Sequence, residues 1–501
     1  MSQVRMHTKR IWTTCLVLLC GVGYAAIENP AISRSGSVFA APAVQPDTVA
    51  TLQRADELMA KKDFAGAITA YREILQASPE QMAVRLKLAE ALGAAQRSAE
   101  AVLEYTQILA SRPGDAGIRH QRGLALYRAG KIGEAISELN EVVRSNPELR
   151  TARRDLGSIY MKHDRILQAE SLYADAVRLW PQEAAVYNDY GVVLARLDHQ
   201  IEALANFEQA VRLDPRHAHA RYNLGLSLMN QWQLDEAIVH LTAALDVNPN
   251  YVDVHYTLGC TQLRLGKAEE ALLSFQKVID LKAPSADLFY FSGMALAKLG
   301  REKEAISRFS EAIRQNPNHG DAHYEIGKAM LRHGSVALAV PQFRAAVRQN
   351  PNHVEAVRQL AVALSRAGQI QEAIARYKDV LNLRPEYTEA IVGLAWILAT
   401  TPDSRFRDPA AALKLAQSVN DQGIHLTPRY LDALATAQAA MGQYELAAKT
   451  EQSAIDADAH CKNPNSQKQL EARLKLFLEG HPYVEPVNPT TKPAATAPAV
   501  P

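Results

Sequence analysis

Aromatic residues are scarce in this 501-residue sequence, at 6%, although 48% of it is hydrophobic; alanine and leucine make up the difference. So few rings argue against a β-sandwich with bulky strands and favour helices that pack through small side chains. An excess charge of either sign is also missing. Lys and Arg number 55 against 54 Asp and Glu, so no overall field draws in nucleic acid or an anionic surface, and no nucleic-acid partner is expected. Cysteine is limited to four residues. Cys15 and Cys20 lie in the N-terminal apolar stretch, while Cys260 and Cys461 are far apart with no metal-ligand spacing. Neither a disulfide framework nor a metal site is supported. Finally, the chain is too long for one compact core, which leaves several domains or a repeat array.

The N-terminus reads as a targeting segment. Arg5, Lys9 and Arg10 precede 17 uncharged residues, Ile11 to Ile27, the layout of a secretory signal. Cleavage fits after Ala25 or after Ala40. The run falls a little short of the roughly 20 residues that span a bilayer comfortably, so an uncleaved membrane anchor is the alternative. Both readings place the rest of the chain outside the cytoplasm, in the periplasm of a bacterium or tethered to its inner membrane.

A period of 34 dominates what remains. Pro79, Pro113, Pro147, Pro181, Pro215, Pro249, Pro317, Pro351 and Pro385 share one grid, broken only at Ala283, beside Pro284. Ala67, Ala101 and their successors to Ala373 form a second column, and Gly123 to Gly327 a third. Four residues after each alanine stands a ring or leucine, as at Tyr71, Tyr173, Phe207, Phe309 and Tyr377. Each column has a physical reason. Small residues let two helix backbones approach, the ring fills the seam one turn later, and proline ends the second helix behind an extended residue.

These columns resemble the tetratricopeptide repeat (TPR), and Ala218 to Gly225 (AHARYNLG) followed by Asp235-Glu236-Ala237-Ile238 is similar to that family's pattern. The resemblance, to the exported bacterial type, implies an all-α, right-handed superhelical solenoid of antiparallel helix pairs. Ten repeats are expected over 48–387 after a signal or anchor (1–40) and a flexible lead (41–47). Within the repeat at 218 the helices are expected near 218–231 and 235–247. Two degenerate hairpins and a polar capping helix follow over 388–480, and a disordered Pro/Ala/Thr-rich tail over 481–501. Pro341 falls inside a second helix, where it predicts a late start or a kink.

Chemistry is hard to find. There is no phosphate-binding G-x-x-x-x-G-K-[ST], no G-x-S-x-G and no H-E-x-x-H. His319 and His323 lie one turn apart, yet nothing completes a metal set, and they read as solvated surface residues. No catalysis and no cofactor are expected. By family likeness, the first helices of successive repeats line a surface that grips protein or peptide partners. Carried over residue by residue, this gives three rows: Tyr222, Tyr256, Tyr290 and Tyr324; Asp253, Asp287, Asp321 and Glu355; and Arg264, Lys298, Arg332 and Arg366. The rows read equally as ordinary scaffold, since acid at a helix start and base at its end suit the helix dipole. Asn188 and Asn223 lack the lysines of a carboxylate clamp. The expected role is a protein–protein interaction scaffold that assembles an envelope complex. The alternative is an accessory subunit of a glycan synthesis or export machine.

Overall fold

The computed structural model describes residues 46–420, 427–458 and 464–486. The signal or anchor of 1–40 and most of the lead that follows lie outside the described residues. Among the described residues are twenty-five α-helices, from Pro46–Ala60 to Pro464–Leu478, and no strand. The chain is therefore an all-α solenoid of helix pairs. It divides into two compact units, residues 1–261 and 262–501, and the division falls inside the helix Val252–Leu265. No helix among the described residues is long and apolar enough to cross a membrane.

Within a pair the first helix ends in a left-handed residue. Lys62, Gln96, Gly130, Asp164, Asp198, Trp232, Gly266, Gly300, Gly334 and Gly368 all have positive φ and sit on the 34-residue grid. Gly300 (φ +74°) shows why the conformation is needed: its N–H reaches the Ala297 carbonyl while the Arg301 N–H reaches Leu296, satisfying the last acceptors of the helix.

Between pairs the proline column does what its chemistry requires. Asn316 (φ −131°, ψ 95°) is extended ahead of Pro317, and its Oδ1 accepts the Asn318 N–H at 3.1 Å. The carbonyls of Pro113, Pro215, Pro249 and Pro317 then accept hydrogen bonds from the residue six positions on, namely Arg119, Arg221, His255 and His323. His323 is thus a clasp on its own turn rather than a solvated histidine.

Packing within a pair depends on the small columns. Ala67, Ala101, Ala135, Ala169, Ala203, Ala237, Ala271, Ala339 and Ala373 are all completely buried. A Cβ added at Gly293 would lie 2.5 Å from Phe309, and one at Gly157 would lie 2.5 Å from the Tyr173 hydroxyl. The ring of the second helix therefore rests on the bare backbone of the first.

Two expectations need correction. The helix Val336–Gln349 neither starts late nor is interrupted at Pro341. The proline forgoes one hydrogen bond, to the Ala337 carbonyl. Both residues are exposed, so that acceptor is open to solvent, while buried Ala339, Val340 and Phe343 hold the helix in place. The tail also begins later than residue 481. Residues 481–486 lie against the helix Thr388–Thr400: the Tyr483 ring is 5.9 Å from that of Trp396, and the Glu485 N–H donates to the Thr400 carbonyl at 2.9 Å. The rest of the expected tail, 487–501, is outside the described residues.

The C-terminal helices run Thr388–Thr400, Pro409–Asn420, Pro428–Ala440, Tyr444–Asp458 and Pro464–Leu478. Asp408 caps the second through the Ala411 N–H, and Thr427 with Pro428 opens the third.

Two glycine substitutions separate these roles. Gly293→Ala, in a helix interior where alanine ordinarily stabilises, is expected to destabilise by about 1–3 kcal/mol through overpacking against Phe309. Gly300→Ala meets no neighbour within 4 Å and is expected to cost about 1–2 kcal/mol through its left-handed backbone alone. Urea unfolding midpoints measure both, and a stabilised Gly293→Ala would refute the packing account.

Candidate protein-binding surface

The three rows lie on the first helices of the pairs. Tyr222, Asp253 and Tyr256 belong to the first unit; Arg264, Asp287, Tyr290, Lys298, Asp321, Tyr324, Arg332, Glu355 and Arg366 belong to the second. In each unit they are tied to a column that the sequence reading did not single out. This is the residue immediately before each first helix from 217 to 387: His217, Tyr251, Ser285, His319, His353 and Tyr387, again on the 34-residue grid.

Tyr251, His319, His353 and Tyr387 join one repeat to the one before it. In the first unit the Tyr251 ring stacks on Tyr222 (5.4 Å between centroids) and its hydroxyl is 2.7 Å from His219 Nδ1. In the second unit His319 covers Tyr290 at 5.0 Å and His353 covers Tyr324 at 5.2 Å. The acidic row meets the same column. His319 Nε2 lies 3.2 Å from Asp287 Oδ1, although not at hydrogen-bonding angles. The Tyr387 hydroxyl donates to Glu355 at 2.7 Å, and Arg358 and Gln359 also bond that carboxylate. Burial alone would raise the pKa of Glu355, but these bonds outweigh it and hold the group below the usual carboxylate value. Asp253 lacks such donors, and burial pushes it up despite the pull of His219.

The tyrosine row is consequently less open than its spacing suggests. Tyr222 and Tyr290 are buried, while Tyr256 and Tyr324 are half-buried. Tyr290 is further enclosed by Phe291 and Phe309, and Lys328 Nζ stands 4.9 Å from the Tyr324 ring centre. The basic row is the exposed one. Lys298, Arg332 and Arg366 all reach solvent, with Arg332 sharing Glu302 with His333; Arg264 is half-buried.

His319 also corrects an expectation: it is buried, not solvated. Its Nδ1 accepts the Ala322 N–H at 3.2 Å, so it caps the helix Gly320–Arg332. His217 and His353 cap their own helices in the same way, through Ala220 and Ala356, each at 3.1 Å. A histidine can accept there only while Nδ1 is unprotonated.

The first unit carries a second seam, with a spacing of 35. His120 Nε2 is 2.8 Å from Asp155 Oδ2, and Asn223 donates to Asn188 Oδ1 at 2.8 Å. Burial pushes Asp189 up to about 6, while a bond from Asn188 and the charge of Arg154 draw it back. The two asparagines of the absent carboxylate clamp therefore bond to each other.

Helix pairs of constant length, locked through small residues and rings, define a helical-repeat scaffold. Residues 120–184, 154–198, 202–252 and 292–354 match one tetratricopeptide-repeat model, 58–125 and 331–386 a second, 240–272 a third and 184–217 a fourth. The chain belongs to the tetratricopeptide-repeat family, whose fold is that of a protein-interaction scaffold. Comparison of the sequence with curated proteins gives no significant match. Similar solved structures include YrrB, a TPR protein with an unusual peptide-binding site, at 23% identity over 37% of this chain and 95% of that one (TM-score 0.32). Yeast Tom70 matches at 17% identity over 80% and 96% (TM-score 0.34), and PilW, a type IV pilus biogenesis factor, at 22% over 41% and 94% (TM-score 0.37).

The His217 cap makes stability depend on pH. Burial and neighbouring His219 hold His217 below the ordinary histidine pKa, against the pull of Asp214. The unfolded chain therefore binds the proton first. The contribution of His217 is intact above about pH 6.5 and declines as the pH falls through its lower folded value. His217→Asn keeps a capping acceptor and removes the titration. Its urea midpoint is expected to fall less than that of the wild type between pH 7.5 and 5.5.

Proposed function

We propose that the chain is a non-catalytic scaffold that holds a partner protein or peptide on the surface built by its first helices, and that it does so in the cell envelope after export. The observation that carries the binding reading is the unequal use of the three rows. The tyrosines and Glu355 are taken up between repeats, whereas Lys298 and Arg366 project into solvent one helix pair apart from Arg332. Such a basic edge selects a partner segment bearing acidic side chains and fixes its direction. Export rests on the basic start and apolar run at the N-terminus.

Reversing Lys298 and Arg366 together (Lys298→Glu, Arg366→Glu) tests the surface better than removing the tyrosines, whose loss would disturb packing. A partner captured from envelope extract by the wild type is expected to bind the double variant at least tenfold more weakly, with an unchanged circular dichroism spectrum. Equal capture by both would exclude this edge. Fractionation of cells carrying the full chain tests export, and recovery in the cytoplasm would overturn it.

A further inference from the structure

The last helix, Pro464–Leu478, places Arg473 where two carboxylates converge. Its Nη2 donates to Asp432 Oδ2 at 2.9 Å and its Nε to Glu451 Oε1 at 3.3 Å, with Asp432 Oδ1 2.7 Å from Nε. All three groups are buried, Glu451 completely. Trp396 and Tyr483 flank the guanidinium at 5.3 and 5.5 Å. The cluster thus ties together four helices and the strap 481–486, which Gly480 (φ +76°) turns back toward Thr388–Thr400.

Two carboxylates and one guanidinium leave one negative charge uncompensated in a buried site, a costly arrangement. Two acceptor oxygens, Asp432 Oδ1 and Glu451 Oε2, also lack a hydrogen-bond donor. A single proton on Glu451, donated to Asp432, cures both defects. We infer that Glu451 keeps its proton while the C-terminal helix is docked, and that loss of this proton to water releases the helix and its strap. The helix and strap therefore form a proton-operated latch over Trp396 and the Thr400 carbonyl.

The surroundings agree. Burial and then Asp432 raise Glu451, with Arg473 opposing; burial also raises Asp432, with Arg473 and Arg429 opposing. From the strap, Tyr483 faces the same cluster, with exposed Glu485 beside it. Because the docked state holds a proton that the released state gives up, docking is strongest at low pH. It weakens as the pH rises from the ordinary glutamate range through the raised value, by up to tenfold per pH unit for one proton.

Hydrogen–deuterium exchange of the full chain reads the latch directly. Amide protection across 470–486, normalised to intrinsic exchange rates, is expected to fall at least tenfold in the wild type between pH 5.5 and 8.5. In Glu451→Gln, whose amide supplies the missing donor permanently, it is expected to stay level. Wild-type protection that does not change with pH, or a parallel fall in Glu451→Gln, would overturn the proposal. If Glu451→Gln loses protection in Pro428–Ala440 as well, Asp432→Asn is read instead. There Glu451 pairs with Arg473 alone, protection is again expected to be level, and a fall matching the wild type would refute the latch.

Discussion

A ring on one helix can rest on the backbone of its partner only where that partner has no side chain. In the pairs that carry it, that constraint fixes the spacing of the other columns. With Phe309 at van der Waals distance from the Gly293 backbone, the two helices of the pair are fixed in both separation and register. The turn joining them must then be short and must reverse through a left-handed residue. The next pair must start behind a proline that stops the second helix. A change in any one of these lengths would move the ring off its glycine, so proline, alanine, glycine and the left-handed turn all keep the same spacing.

The features that the sequence makes plain are those governed by one residue type. Proline, glycine and buried alanine have few substitutes, so their columns can be read by eye, and the pair at Ala218–Asn230 and Leu234–Val247 falls within a residue of its expected place. Features that several chemistries can satisfy are hidden. Tyrosine at 251 and histidine at 319 and 353 all cover a ring of the preceding repeat, and Ser285 stands between them, so the column from His217 to Tyr387 shows no single letter. The left-handed turn accepts Lys62, Asp164 or Trp232 as well as glycine, at some cost in backbone strain. Pro341 misleads for the opposite reason: its rule is sound, but it sits on an exposed face where the freed acceptor is open to solvent. Arg473, Asp432 and Glu451 are separated by 22 and 41 residues and follow no period, so only the folded chain brings them together.

The same columns limit what a partner can use. A tyrosine buried between repeats offers an edge or a hydroxyl rather than a stacking face, and Glu355, already bonded three ways, has little capacity left for another cation. On the proposed reading, recognition in the second unit falls to side chains that the scaffold does not need, chiefly the exposed cations at the ends of the first helices. In the first unit His120 and Asn188, on the grid of the tyrosine row, are spent on Asp155 and Asn223. A scaffold of this kind separates cohesion from recognition: rings and small residues hold the repeats, and the exposed charged ends remain free to differ.

The end of an array has no following repeat to stack on it, so its last seam must be closed by other means. Here an apolar contact and an ionic one share the task. Phe477 fills the space beside Ala435, Ala439, Ala447 and Ala448, as a ring does within the array. Arg473 reaches Asp432 and Glu451 from the last helix. A hydrophobic cap alone would hold at any pH. Adding one carboxylate more than the guanidinium can neutralise makes the closure conditional on a proton, because the surplus charge is tolerable only in water. At the C-terminal seam strong packing and a titratable imbalance coincide, and there the stability of the cap and the exposure of the helices beneath it are set by the same group.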